Sequence, residues 1–124
     1  MFEHLDPRSP VPLYDQIATR IRVAIAAGEL TPGVALPSVR QVARQVRVNP
    51  ATVVQAYREL EAEGFVELRQ GAGTYVCEVE PAKRSGERMR QARRLARSMV
   101  AEAARLGLSS SEIRKAMEQE LKGA

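Results

Sequence analysis

The chain has 124 residues, of which 44% are hydrophobic, so it can form one small domain with an appendage but not a large enzyme fold. Aromatic residues make up only 4% and tryptophan is absent, which disfavours a deep aromatic-lined ligand pocket or a base-stacking surface. The net charge is +4, but residues 1–80 hold 8 basic and 10 acidic side chains, a net −2, whereas residues 81–124 hold 11 and 5, a net +6. Only local charge near a motif can therefore support an anionic partner for the first 80 residues.

Residue types that build metal sites, disulfides and catalytic centres are scarce in the chain. Cys77 is the only cysteine and His4 the only histidine, and neither has an assignable partner, so the sequence indicates no metal, disulfide or cofactor. No paired carboxylates and no nucleophile with a base emerge, so we predict that the chain is not an enzyme. No apolar run approaches a membrane span or a signal-peptide core, which predicts a soluble, cytoplasmic protein without a membrane partner.

The first 37 residues are predicted to form an arm, a helix and a connector. Prolines at positions 7, 10 and 12 make residues 1–12 an irregular N-terminal arm. Apolar residues then recur at helical spacing as far as Gly28, so we expect a core helix over residues 13–27. Its apolar stripe consists of Leu13, Ile17, Ile21 and Ile25. Residues 29–37 contain a Pro-Gly turn and form a connector that Leu30 and Leu36 anchor in the core.

Two further helices are predicted on either side of a three-residue turn. Ser38 is a suitable cap for a short helix that ends at Val46. Asn49 can accept hydrogen bonds from the free N–H groups of a new helix, and Pro50 suits its first position, so a third helix runs from Pro50 to about Glu63. Its buried stripe is Val53, Ala56, Tyr57 and Leu60. This is the outline of a helix-turn-helix, whose second helix presents a small polar N-terminus to a DNA major groove.

Side chains suited to DNA contact surround this turn. Arg40, Arg44 and Arg47 are predicted to share one face of the second helix, where they suit phosphates; a solvated arginine face is the alternative. Asn49 and Thr52 suit hydrogen bonds to base edges, and Arg40 suits a guanine or a phosphate. The other outward residues of the third helix are Ala51, Val54, Gln55 and Arg58. Ala51 or Val54 suits contact with a thymine methyl group, and Arg44, Arg47 and Arg58 suit positioning contacts.

A short β-hairpin is predicted after the third helix. Strand-like runs at residues 65–68 and 74–79 flank a loop with two glycines, at 71 and 73. No Gly-Lys-Ser or Gly-Lys-Thr sequence and no helix follow the loop, so a nucleotide-binding loop is disfavoured. We interpret the hairpin as a wing, in which Gly71 allows a positive φ and close approach to a phosphate, while Arg69 and Gln70 supply side-chain contacts.

Taken together, these motifs resemble the winged helix of GntR-type bacterial transcription regulators over roughly residues 10–79. The matching stretches are Pro-Leu-Tyr-Asp-Gln-Ile, Leu-Pro-Ser-Val-Arg-Gln-Val-Ala, Val-Asn-Pro-Ala-Thr-Val, Ala-Tyr-Arg-Glu-Leu-Glu-Ala-Glu-Gly and Gly-Ala-Gly-Thr-Tyr-Val. The resemblance implies a DNA-binding domain over residues 13–79 that binds an operator as a dimer. The positions that it implies touch DNA are Ser38, Arg40, Asn49, Pro50, Ala51, Thr52, Val54, Arg69, Gln70 and Gly71.

The remaining residues are too few for the large effector or aminotransferase-like domain that GntR regulators usually carry. We expect a linker over residues 80–86 and a helical tail over residues 87–122, made of a helix ending at Gly107 and a second helix that Ser109 and Glu112 begin as a capping box. Such short helices cannot bury their apolar stripes alone, so we predict that they pack on a second copy and form a homodimer. The predicted dimerisation residues are Met89, Ala92, Ala96, Met99, Val100, Ala103, Ile113, Met117 and Leu121.

The short tail is similar to that of the YtrA subfamily of GntR regulators, which implies a repressor of its own operon or a transporter operon. The predicted fold is mainly α with a β-hairpin wing, and the predicted operator is a near-palindrome. A small-molecule effector of unknown identity is a possible partner. Several alternatives stay open. The winged helix could be a protein–protein adaptor, the basic run at residues 88–97 could touch nucleic acid or a membrane surface, and the methionines could line an effector pocket rather than fill a core.

Overall fold

The structure is a computed structural model that describes residues 1–3 and 5–124, so His4 lies outside the described residues. The described chain consists of five helices and a two-stranded antiparallel hairpin. The elements are α1 (Leu13–Ala26), α2 (Val39–Val46), α3 (Pro50–Ala62), β1 (Val66–Arg69), β2 (Gly73–Val76), α4 (Pro81–Arg105) and α5 (Ser110–Lys122). They divide into a first unit, Met1–Arg88, and a second unit, Met89–Ala124. The predicted mainly helical fold with a β-hairpin is confirmed.

Local side-chain caps explain where three of the helices begin. Ser38 and Gln41 form a reciprocal capping box at α2, and Ser109 and Glu112 form another at α5. At α3, the Asn49 side chain accepts a hydrogen bond from a backbone N–H, and proline occupies the first helical turn. Each cap satisfies donors that a helix start otherwise leaves without a partner, so these three starts lie where the sequence predicts them.

The core of the first unit lies between α1, α2, α3 and the hairpin. Ile17, Ile21 and Ile25 of the predicted α1 stripe and the whole predicted α3 stripe are buried in it, whereas Leu13 is half-buried. The largest side chains with under 2% exposure include Ile17, Ile21, Val42, Val53 and Leu60. Burying one such side chain contributes about 1.5–3 kcal/mol. Phe2 is also buried, at 8% exposure, so part of the predicted N-terminal arm packs against the core.

The connector between α1 and α2 adds a third extended segment beside the hairpin. Ala35 forms an antiparallel bridge with Tyr75, and the N–H of Leu36 donates to the carbonyl of Thr74 at 2.8 Å. The N–H of Val76 donates to the carbonyl of Val34 at 2.9 Å. The sequence predicts only an irregular connector here, because prolines at 32 and 37 flank the paired residues. The pairing ties the wing to the start of α2.

The linker predicted at residues 80–86 is helical from Pro81 onward, so α4 begins earlier than the helical tail expected over residues 87–122. Pro81 fits the first helical turn, where no backbone donor is needed, and the N–H groups of Lys83 and Arg84 donate to the carbonyl of Glu80. Lys83 also donates to the carbonyl of Glu63 and lies 4.6 Å from the centre of the Phe65 ring. These contacts hold the first turn of α4 against the end of α3.

In the second unit, α4 ends at Arg105 and is followed by a left-handed Gly107 (φ 71°), after which the N–H of Leu108 donates to the carbonyl of Ala103. Ala103 is buried and Ile113 half-buried, but the other predicted dimerisation residues are mostly exposed. The exposed fractions are 53% for Met89, 64% for Val100 and 66% for Leu121. No helix within the described residues is both long enough and apolar enough to cross a membrane.

Candidate nucleic-acid interface

The N-terminal half of α3 exposes polar and small side chains on the face opposite its buried stripe. Ala51, Gln55 and Arg58 are exposed, while Thr52 and Val54 are half-buried. Because Pro50 needs no backbone partner and Asn49 caps the helix, this end of α3 is held without neighbouring elements covering it. An exposed helix end of this kind is the shape that enters a major groove.

Asn49 has a structural role that limits its predicted role in reading bases. Its side-chain Oδ1 accepts from the N–H of Ala51 at 2.9 Å. A bidentate contact with adenine would need both the carbonyl and the amide of this side chain. Asn49 therefore keeps a free amide donor, and Thr52 becomes the more suitable residue for a direct hydrogen bond to a base edge.

The start of α2 is fixed against α3 by a buried tyrosine. The Tyr57 hydroxyl donates to the carbonyl of Pro37 at 2.6 Å, and burial raises the pKa of Tyr57 well above its usual value. The hydroxyl is therefore neutral and engaged within the fold, which favours the predicted core role over a phosphate contact. Ser38 is exposed next to this bond, and its oxygen accepts from the N–H of Gln41 at 3.1 Å.

The prediction that Arg40, Arg44 and Arg47 share one face of the second helix is wrong for Arg47. Arg40 and Arg44 lie in α2 and are exposed, but Arg47 is the C-cap residue with φ 57° and ψ 51°. It is the only described residue other than glycine with a positive φ. The left-handed conformation ends α2 and directs the chain into the turn, so the Arg47 side chain leaves from the turn rather than from the helix face.

Four of the predicted DNA-contacting arginines have no carboxylate partner. Among the residues that the structure describes, Arg40, Arg44, Arg47 and Arg58 form no ion pair. All four are exposed. Uncompensated guanidinium groups beside an exposed helix start suit the phosphate contacts that position a protein on a duplex.

In the wing, the predicted DNA-contacting residue Arg69 already has partners within the fold. Arg69 Nε donates to Glu67 Oε1 at 2.8 Å, and its guanidinium lies 4.2 Å from the centre of the Tyr75 ring. Gly71 has φ 78°, which a residue with a side chain rarely adopts, and it lies in the exposed turn with Gln70. The tip of the wing is therefore open to a phosphate, whereas Arg69 is engaged along β1.

The wing, α2 and α3 meet in one shallow cleft. Val54 and Arg58 of α3 line it together with Leu68 and Thr74 of the hairpin, and Val39 of α2 completes one side. Glu61 also lines the cleft, and its Oε2 accepts from the N–H of Leu68 at 2.9 Å. The structure therefore brings the predicted contact elements, which are separate in the sequence, onto neighbouring surfaces.

A buried ion network behind α3 was not predicted from the sequence. Arg22 of α1 is only 6% exposed, and its guanidinium lies 2.9 Å from Glu63 and 3.4 Å from Glu59 of α3. Only the Glu63 contact is a hydrogen bond, because Glu59 Oε2 has no hydrogen-bond partner among the described residues. Burial alone lowers the pKa of Arg22, but the bond to Glu63 and the charges of Glu63, Glu59 and Glu87 raise it above its usual value.

This network joins three helices of the first unit. Glu87, in the second turn of α4, is 4% exposed and contributes negative charge at Arg22. The one available sequence signal is the spacing of Glu59 and Glu63, four positions apart on the predicted third helix and next to its apolar stripe. The network supports the half of α3 that lies away from its exposed N-terminus.

In the second unit, α4 and α5 enclose a separate shallow cleft. Its lining residues are Val100, Ala103, Ala104, Leu108, Ser109, Ser110, Ile113 and Arg114. None of Met89, Met99 and Met117 lines it, and all three are exposed by at least 36%. The cleft therefore does not match the methionine-lined effector pocket considered from the sequence.

Comparison with known protein families identifies the first unit. Residues 13–76 match the model of the family described as bacterial regulatory proteins, gntR family. The chain is 46% identical over 74 residues to the HTH-type transcriptional repressor YtrA of Bacillus subtilis, which covers 60% of this chain and 57% of that protein. The alignment thus spans little more than half the length of this relative.

Solved structures are similar to this chain over more of its length. A GntR family transcriptional regulator from Listeria monocytogenes superposes with a TM-score of 0.72 and 29% identity, covering 92% of this chain and 97% of that one. The DNA-binding domain of AraR in complex with operator ORX1 superposes with a TM-score of 0.54 and 28% identity, covering 58% of this chain and 89% of that one. The first match extends through the hairpin into the C-terminal helices.

Proposed function

The chain belongs to the GntR family of bacterial regulatory proteins, and from this premise we propose that it is a sequence-specific, DNA-binding regulator of transcription. The observation that carries the proposal is the exposed N-terminal half of α3, capped by Asn49 and accompanied by arginines without carboxylate partners. The operator complex of the related AraR domain supports the same use of this fold. Such a regulator acts in the cytoplasm, where bacterial DNA lies.

We assign base reading to the start of α3 and positioning to the residues around it. Thr52 donates or accepts a hydrogen bond at a base edge, and Ala51 or Val54 meets a thymine methyl group. Arg40 pairs with a guanine or a phosphate. The residues that contact the backbone are Ser38, Arg44, Arg47, Asn49, Pro50, Gln55, Arg58, Arg69, Gln70 and Gly71.

The second unit is proposed to hold two copies of the chain together. Val100 of α4, Leu121 of α5 and Leu106 in the turn between these helices are each more than 60% exposed. A second copy that covers these residues would bury the apolar face that a single chain leaves in water. The residues 87–122 are therefore a dimerisation tail in this proposal.

A homodimer presents two α3 helices to one duplex. In helix-turn-helix dimers, the two half-sites lie about 34–36 Å apart, which is one turn of DNA. The proposed operator is accordingly a near-palindrome. The similar protein YtrA of B. subtilis is a transcriptional repressor, which supports repression as the mode of action. From the resemblance of the tail to the YtrA subfamily, we propose that the target is the chain's own operon or a transporter operon. A small-molecule effector that modulates binding is part of this proposal, without an assigned identity.

DNase I footprinting on the DNA upstream of the chain's own gene tests the proposal. The expected result is protection of two half-sites related by approximate two-fold symmetry, with protection lost when the base sequence of either half-site is scrambled. The proposal is contradicted if the folded, dimeric protein protects no part of this DNA and also selects no binding site from a pool of random DNA sequences. That outcome would favour a protein–protein adaptor, the alternative that the net −2 charge of residues 1–80 supports.

A further inference from the structure

Helix α4 carries a second charged surface, which the dimerisation tail does not explain. Arg90, Arg93, Arg94 and Arg97 lie three, four and seven positions apart and so share one helix face, which we call the arginine face. All four are exposed. The predicted dimerisation residues of α4 lie on a different side at the same helical spacing, and they are Met89, Ala92, Ala96, Met99, Val100 and Ala103.

Within the part of the chain that the structure describes, Arg93, Arg94 and Arg97 of the arginine face have no acidic partner. No acidic residue occurs between Glu87 and Glu102. Among the described residues, the side chains of Arg93, Arg94 and Arg97 form no ion pair or hydrogen bond, and Glu102 pairs with Arg105, further along the helix. Like charges at helical spacing repel each other, so the face is disfavoured in an isolated helix. An anionic partner would remove that repulsion.

The geometry of the face suits a regular array of phosphates. Arg90 and Arg97 are separated by seven residues of α-helix, which is a distance of about 10 Å. Duplex DNA carries one negative charge per about 1.7 Å of its axis, so several phosphates lie within this distance. Guanidinium groups also form the two-pronged hydrogen bonds that phosphate oxygens accept.

The residues on the apolar side of α4 favour DNA over a membrane surface as the partner of the arginine face. Helices that lie in a bilayer interface insert large residues such as tryptophan, phenylalanine and leucine. Helix α4 contains one leucine, Leu95, and no phenylalanine or tryptophan, and half of the six residues on its apolar side are alanines, at positions 92, 96 and 103. Small residues allow close packing of another protein helix but bury little area in lipid.

We propose that the arginine face of α4 binds the phosphate backbone of double-stranded DNA. It adds contacts that do not depend on base sequence, and it supplies positive charge that residues 1–80, with a net −2, lack. The proposal rests on the proposed function, because it assigns a second contact to a DNA-binding regulator. Base reading remains with α3.

The triple variant R93Q/R94Q/R97Q tests the arginine face in the full-length protein. Dissociation constants are measured for an operator duplex and a scrambled duplex over a series of KCl concentrations. Each lost phosphate contact reduces the slope of log K against log salt by about 0.9, so we expect a reduction of about 2–3 for each subunit that engages DNA. At low salt, affinity for both duplexes should fall at least about tenfold by the same factor, which leaves their ratio unchanged.

A matched control removes the same formal charge from another helix of the second unit. The variant R114Q/K115Q/K122Q places all three changes in α5. We expect its DNA affinity to fall clearly less than that of the α4 variant. Equal losses in the two variants would show that net charge alone acts, and they would overturn the assignment to the arginine face.

Two further readouts separate a DNA contact from other uses of the face. The variant R93K/R94K/R97K keeps the charge and should retain most of the salt slope, which guards against misfolding of the glutamine variant. Analytical ultracentrifugation should find the same oligomeric state for the wild type and the variants. Dissociation of the glutamine variant would place the face in a subunit interface and contradict the proposal.

Binding to vesicles of phosphatidylglycerol tests the membrane alternative. If the wild type binds these vesicles and the glutamine variant does not, while the variant keeps the DNA affinity of the wild type, the face belongs to a membrane contact and the proposal is overturned. A glutamine variant that binds both duplexes as the wild type does would refute only the arginine face. A wild-type protein that binds no duplex at all would refute the proposed function as well.

Discussion

The two units of the chain differ in how much of their apolar surface they bury. The first unit buries Ile17, Ile21 and Leu60 completely and supports α3 from behind with the Arg22 ion network. The second unit leaves Val100, Leu106 and Leu121 more than 60% exposed, and α5 has no buried residue. In the proposed function, a single chain therefore carries one whole DNA-reading surface, whereas the exposed apolar residues of its tail are covered by a second copy.

Charge divides the chain at nearly the same place. Residues 1–80 have a net charge of −2 and residues 81–124 a net charge of +6. We therefore assign selection of a DNA sequence to the first unit, and assembly and nonspecific attraction to the second. Variants that change only one of these properties test whether the division is real.

The largest effect is expected from a charge placed in the exposed apolar side of the tail. Val100→Asp should dissociate the proposed dimer, because the carboxylate would have to be buried against the second copy. Loss of bivalent binding should lower operator affinity by at least about 100-fold, since linked sites gain about 10²–10⁴ over single ones. Analytical ultracentrifugation and fluorescence anisotropy measure the two effects.

Ser98→Asp is the matched control for this variant, because it places the same charge on α4 two residues away and off the apolar side. It should leave the dimer intact. If Val100→Asp stays dimeric and binds the operator normally, the comparison between a complete first unit and an incomplete tail is wrong.

A smaller effect is expected from the ion network of the first unit. Arg22→Met leaves Glu63 and Glu59 beside a buried apolar side chain, and removing one partner of a fully buried pair costs about 3–5 kcal/mol. Because the two glutamates are about a third exposed, with side-chain exposures of 33% and 37%, we expect a loss nearer to about 2 kcal/mol in free energy of unfolding. Urea denaturation measures this loss.

Arg20→Met provides the control, since Arg20 lies on the same helix and forms no ion pair with the described residues. Its free energy of unfolding should change by less than about 0.5 kcal/mol. Equal stability of the two variants would mean that the network does not support α3.

The smallest effect is expected at the turn of the helix-turn-helix. Arg47→Gly removes a side chain from a left-handed residue and should stabilise the fold by up to about 1 kcal/mol, while weakening DNA binding through loss of a guanidinium. The same change at Arg44, inside α2, should destabilise by about 1 kcal/mol. Thermal unfolding of both variants measures these two changes in stability. Changes of the same sign would contradict the different backbone roles of these two arginines.

The starts of α2, α3 and α5 were predictable from sequence because each depends on residues that are close in the chain. Ser38 with Gln41 and Ser109 with Glu112 are three positions apart, and Asn49 bonds the N–H of Ala51. Such caps need no tertiary partner, so residue type and spacing suffice. The wing was also predictable from sequence, because glycines at 71 and 73 separate two short strand-like runs.

The features missed from sequence depend on distant contacts. Arg22 and Glu63 are 41 positions apart, and a charged residue beside an apolar stripe is usually exposed. The pairing of residues 34–36 with β2 and the burial of Phe2 also join remote segments. The left-handed Arg47 was missed for another reason, because glycine is the usual residue at that position of a helix end.

The specificity of the Thr52→Ala variant tests the central claim most directly. Dissociation constants for an operator duplex and a scrambled duplex are measured side by side with the wild type. Loss of a base-edge hydrogen bond should cost about 1–3 kcal/mol on the operator, or about 5- to 150-fold, and leave scrambled DNA unaffected. An equal loss on both duplexes, or no loss on either, would contradict base reading by the N-terminus of α3.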